Sequence, residues 1–219
     1  MPAVQMKFVD AEDNRPIEGA HVLFHASASE GSLTGHGGER VSLFLVEAVT
    51  NDAGELRLPA QEFGAYPFLF NTNYHNPSMM VFKSGYEFLT LSNYRLIIAE
   101  RQDVTSWQYH DQVIKLRRVG TDNASSQIPY VWESRVNQIY GFGYKNICLW
   151  KKIPRFLVAV DRAVSESNRK QQSINAKDLH LTAQVSPLRS LLAKEQYYTE
   201  KGCGSPKMFF DSYLSNTNR

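Results

Sequence analysis

The sequence predicts an α+β protein: an N-terminal antiparallel Greek-key β-sandwich followed by a helical segment packed against it. Three observations carry this reading. Short runs with an apolar period of two recur from Val4 to Arg118. Turn-forming Gly, Pro, Asn and Asp clusters separate those runs. Beyond Arg118 the apolar spacing changes to that of helices, with prolines placed to open them.

The elements follow in order. Val4–Asp10 alternates and predicts a first strand, and the polar run Ala11–Pro16 a turn. In the next strand Ala20, Val22 and Phe24 share one face and His21, Leu23 and His25 the other, the pattern of a half-buried strand. Residues 26–40 are small, polar and glycine-rich, and predict a loop; a loop on a β scaffold is a natural place for binding. Val41–Val49 is the most apolar run and predicts a central strand. Asn51-Asp52-Ala53-Gly54 predicts a hairpin turn, with Asp52 bonding downstream backbone and Gly54 taking positive φ; Glu55–Leu58 is the strand that follows. Phe68–Phe70, Met79–Lys83, Tyr94–Ala99 and Gln112–Arg118 predict further strands, with Asn71–Ser78 as a turn-rich loop.

After the strands, residues 119–126 have the composition of a linker, and 127–219 form the helical segment. Val131, Trp132, Val136, Ile139 and Tyr140 are spaced for a helix behind Pro129. Pro154 opens a second, with Phe156, Leu157, Val160 and Val164 on one stripe and Arg155, Arg162 and Glu166 off it. Pro187 opens a third around Leu188, Leu191, Leu192 and Gln196. Such short stripes bury little surface alone, so they should pack on each other and on the sandwich.

Composition sets outer bounds. With 219 residues, 42% hydrophobic and 21% charged, the chain can bury a substantial core without staples. Residues 1–118 carry 10 basic against 14 acidic side chains, a net of −4, and residues 119–219 carry 14 against 8, a net of +6. The asymmetry favours contact between the two parts and is too dispersed for a nucleic-acid interface. No apolar run is long enough for a membrane-spanning helix. Cys148 and Cys203 can form a disulfide or stay as two thiols, and the redox compartment decides between them.

Four motifs occur in a telling order: Pro16–Val22, Thr50–Pro59, Phe82-Lys83-Ser84-Gly85-Tyr86 and Val113–Leu116. Together they resemble the carboxypeptidase regulatory-like domain over residues 4–118, and the resemblance implies a transthyretin-like (prealbumin-like) sandwich. Members of that family are commonly non-catalytic accessory modules of exported or cell-surface proteins, so the resemblance transfers no catalytic residue. The long 26–40 interval and the stretch from Gly85 to Val113 depart from the family pattern. Residues 127–219 resemble no family.

No metalloprotease helix, nucleophile elbow, P-loop or dinucleotide fingerprint is present. His21 and His25 would stand roughly 13 Å apart on a strand, too far for one ion. His36, His75 and His110 fall in loop-like segments and could converge at one end of a sandwich to hold a metal. In the aromatic stretch, Tyr66 and Tyr74 lie nearest turns and are the candidates for exposed, sugar-stacking rings. No cofactor is implied. The expected function is a non-catalytic binding or assembly module of the bacterial envelope, recruiting another protein through loops or an edge strand. The expected location is the periplasm or envelope, with a lipid anchor upstream of Met1, or the cytoplasm if Met1 is the native start. The alternative is a metal-dependent carbohydrate-binding protein or hydrolase that uses the loop histidines.

Overall fold

The computed structural model describes residues 3–30, 40–60, 72–75, 77–93, 107–119, 147–174 and 186–215. Among the described residues eight strands form two sheets, and helices follow in the C-terminal part. The strands are β1 (Val4–Asp10), β2 (His21–Glu30), β3 (Arg40–Val49), β4 (Glu55–Leu58), β5 (Thr72–Tyr74), β6 (Ser78–Phe82), β7 (Leu89–Ser92) and β8 (Gln112–Leu116). The strands expected at Phe68–Phe70 and Tyr94–Ala99, the helix behind Pro129 and nearly all of the 119–126 linker lie outside the described residues.

The smaller sheet has the order β4-β1-β8, and the larger the order β3-β2-β6-β7 with β5 also on β2. Alternation places Val4, Met6 and Phe8 of β1, Leu56 and Leu58 of β4, and Ile114 and Leu116 of β8 on one buried face. Against them pack Ala20, Val22, Phe24, Phe44, Met79 and Val81 from the larger sheet, so one apolar layer joins the two sheets. Phe24 is fully buried and meets the Trp107 ring edge-on at 5.7 Å.

Four expectations are corrected. The pairing is not wholly antiparallel, because β1 and β8 run parallel, Phe8 opposite Ile114. Val41–Val49 is not central: among the described strands β3 lies at an edge and β2 is inside. Its apolarity reflects contacts on two sides, since Phe44 faces the inter-sheet layer while Leu45 joins the helices. Residues 26–30 continue β2 past a register shift at Ala26/Ser27 and are not loop. Their alternation is written in small residues, with Ala26 and Ala28 buried, a weak signal that pairing to β3 and β5 turns into strand. Within the expected Asn71–Ser78 loop, β5 likewise pairs with β2.

The turn after β3 is also not a hairpin, because β3 and β4 belong to different sheets. It carries the chain from one sheet to the other. Asn51 Oδ1 accepts the Glu55 N–H at 2.7 Å, and the Asn51 carbonyl accepts the Gly54 N–H at 2.9 Å. Gly54 takes φ +70° as expected, and a Cβ there would stand 2.4 Å from the Phe8 carbonyl oxygen. Glycine is needed both for the conformation and for the close approach of β1.

The helical layer covers the outer face of the larger sheet. After a 3-10 turn, Leu149–Lys152, come α1 (Pro154–Ile174), α2 (Pro187–Ala193), α3 (Glu195–Glu200) and α4 (Pro206–Ser215). The α1 stripe Phe156, Leu157, Val160 and Val164 is buried in one cluster with Leu23, Leu45, Met80 and Phe82 of the sheet. β2 is therefore covered on both faces, where its alternation predicted one. Trp150 is fully buried among Tyr198, Phe209 and Phe210. Beside it Cys148 and Cys203 are joined in a disulfide across 55 residues, with Cα atoms 5.3 Å apart.

Candidate functional site

The loop histidines do not form a common site among the described residues. His36 and Tyr66 lie outside those residues, and the Tyr74 side chain is not described; its backbone pairs with Ala28 in β5. His75 belongs to the larger sheet's side, its N–H donating to the Ser27 carbonyl at 2.9 Å. His110 stands in the turn before β8 of the smaller sheet. Its Nδ1 accepts the Gln5 N–H at 3.2 Å, which leaves the ring proton on Nε2, 3.2 Å from Asp111 Oδ2. Among the described residues no three His, Cys, Asp or Glu side chains are grouped to hold a metal ion.

Several polar clusters instead fasten segments together. Asp10 is 1% exposed at the end of β1. Its Oδ1 accepts the Glu12 N–H at 2.8 Å, and its Oδ2 accepts the Tyr86 hydroxyl at 2.9 Å and Arg118 Nε at 2.5 Å. Burial pushes the Asp10 pKa up, but the Glu12 N–H, Arg118 and Tyr86 together outweigh it and bring the value down to about 2. The cluster ties the β1 end to the β6–β7 connection and the end of β8. In the helical layer, the Ser186 hydroxyl donates to Asp161 of α1 and accepts the Arg189 N–H at 3.1 Å, capping α2. Glu195 holds the start of α4 through the Ser205 hydroxyl and the Lys207 N–H.

Two surfaces remain with chemistry to offer. The first is β8, which pairs with β1 on one side and ends the described order of its sheet. Gln112, Val113 and Lys115 are exposed there, and Val113 keeps 55% of its surface accessible. The second lies on the outer side of the larger sheet. Burial, then Lys83, Arg155 and Arg162 in that order, lower the His21 pKa to about 4. The sequence marked Arg155 and Arg162 as off the apolar stripe, and their effect on His21 depends on where α1 docks.

No family model matches the chain, and no curated protein sequence matches it. Among solved structures it is similar to the group B streptococcus pilus 2b backbone protein at 11% identity, over 55% of this chain and 42% of that one, with a TM-score of 0.30. A streptococcal ancillary pilin matches at 15% identity over 54% and 29% of the two chains, with a TM-score of 0.25. A 9R-lipoxygenase from Cyanothece PCC8801 matches at 10% identity over 91% and 28%, with a TM-score of 0.24. The chain spans less than half the length of each of these proteins, and similarity at this level carries no functional argument.

Proposed function

We propose that this protein is a non-catalytic binding module of the bacterial cell envelope that recruits a protein partner by strand addition at β8. The observation that carries the reading is Val113, 55% exposed in an edge strand where a solvated face would favour a polar residue. Beyond β8 the side away from β1 is taken by the Tyr86–Arg118 bridge; an added strand would take main-chain hydrogen bonds from that side of β8 before the bridge, and a partner side chain would cover Val113. The Cys148–Cys203 bridge fits an oxidising compartment. The same proposal includes the carboxypeptidase regulatory-like, prealbumin-like character of residues 4–118, the linker 119–126 and the helical segment 127–219. No helix among the described residues is long and apolar enough to cross a membrane.

The test is a photo-reactive amino acid at position 113 of the full chain, expressed in the producing bacterium. One cross-linked adduct of fixed size in the envelope fraction, lost when unlabelled Val113→Pro is compared by co-purification, is the expected result. Absence of any adduct at 113, or a cytoplasmic chain with reduced cysteines, would refute the proposal.

A further inference from the structure

We propose that the strand added at β8 is an acidic one, its carboxylates meeting a group of cations on the solvent face of the smaller sheet. The inference rests on the reading of β8 as the docking edge and names the partner's chemistry. Strand register builds the group. Lys7 of β1 is paired with Val113 of β8, and Val9 with Lys115. Met6, Phe8, Ile114 and Leu116 point into the inter-sheet layer, so Lys7, Val113 and Lys115 stand together on the opposite face, exposed. Arg117, two residues beyond Lys115, is exposed as well.

The backbone opens in the matching direction. The Arg117 carbonyl accepts the Glu87 N–H at 2.8 Å and the Val119 N–H donates to the Gly85 carbonyl at 2.9 Å, around the Tyr86–Arg118 bridge on the side away from β1. The Leu116 carbonyl accepts the Ala11 N–H at 2.8 Å on the β1 side. Main-chain groups alternate in direction along a strand, so those of Val113 and Lys115 point away from β1, in line with residues 85–87, which pair further along. An added strand would lie on that line, about 5 Å from β8. Its residues opposite Val113 and Lys115 would share their solvent face.

None of Lys7, Lys115 and Arg117 has an ion pair among the described residues. The neighbouring carboxylates have partners of their own. Glu55, opposite Lys7 on β4, lies 3.7 Å from Arg57, and Asp111 lies 3.2 Å from the His110 ring. A carboxylate on the incoming strand would meet Lys115 across the new pairing, in the field of Lys7 and Arg117. Opposite charges favour a cross-strand pair and like charges oppose it. A second copy of β8 is disfavoured on the same ground, because it would bring one basic edge against another.

The full-length, disulfide-bonded protein is titrated with synthetic octapeptides that alternate valine with glutamate, glutamine or lysine, and the Val113 and Lys115 amides are followed by NMR. Saturable shifts are expected with the glutamate peptide, which should bind at least about 5-fold more tightly than the glutamine peptide and weaken in high salt. The lysine peptide should give none. Lys115→Glu should lower affinity for the glutamate peptide by at least about 5-fold and turn the preference toward the lysine peptide, a reversal that loss of folding cannot produce. Lys7→Glu is a second variant on the other strand, and melting temperatures of both are measured in parallel. A preference unchanged in the folded variants would overturn the assignment. Equal shifts with all three peptides would overturn the acidic preference and leave strand addition standing. No shift with any peptide would also overturn it, as would self-association that moves the same amides without peptide. The cross-link at position 113 judges strand addition separately.

Discussion

The Glu47 carboxylate accepts the Phe156 N–H at 3.0 Å and the neighbouring Arg155 N–H at 3.1 Å, so a side chain of β3 caps a helix 109 residues further along the chain. Helix starts leave N–H groups without partners, and a carboxylate there also meets the positive end of the helix dipole. Burial raises the Glu47 pKa, and the two N–H groups pull against that rise. With the folded value above the unfolded one, this group's contribution is fully present below the unfolded pKa and declines as pH rises through the folded pKa. Glu47→Ala should cost about 1–2 kcal/mol by loss of the cap. Glu47→Gln, which keeps an acceptor and buries no charge, should cost less, and urea unfolding of the two variants at pH 7 gives the comparison.

The disulfide should contribute substantially to the helical layer. Bridging 55 residues restricts the unfolded chain by about 4 kcal/mol on loop-entropy grounds. In a chain of this length that corresponds to a melting-temperature fall of roughly 10 °C for the Cys148→Ser/Cys203→Ser variant. Thermal scans with and without reductant check it: reductant should lower the melting temperature of the parent chain and leave the variant's unchanged.

Gly54→Ala should be destabilising by more than about 2 kcal/mol, because positive φ and a backbone clash add. The new Cβ would sit 2.4 Å from the Phe8 carbonyl oxygen and 3.0 Å from the Ile17 nitrogen. Denaturant midpoints measure this, and an unchanged midpoint would show that the inter-sheet crossing can move away from β1.

Asp10 predicts a particular acid response. Its folded pKa of about 2 lies below the ordinary value of 3.8. Its contribution is therefore present above that ordinary value and is lost as pH falls through about 2. Stability measured from pH 5 to pH 1.5 should fall more steeply in the parent than in Asp10→Asn, which has no carboxylate to protonate. Parallel curves would mean that the Arg118 and Tyr86 contacts do not survive in solution.

The sequence by itself determined the elements whose signal is local. Period two placed Val22 and Phe24 inward, proline and the apolar stripe placed α1 behind Pro154, and the Asn51–Gly54 run required a glycine with positive φ. Tertiary structure decided what those elements meet. The same turn residues serve a hairpin or a crossing between sheets, and only the pairing of β4 with β1 distinguishes them. Alternation shows that two faces differ, yet Leu23 was buried by a helix arriving from far along the chain. The Glu47 cap links residues 109 positions apart and the Asp10–Arg118 pair links residues 108 apart. Backbone preference acts over a few residues, whereas burial and charge act through space, so what the outer face of the larger sheet meets was settled only when the helical layer was placed on it.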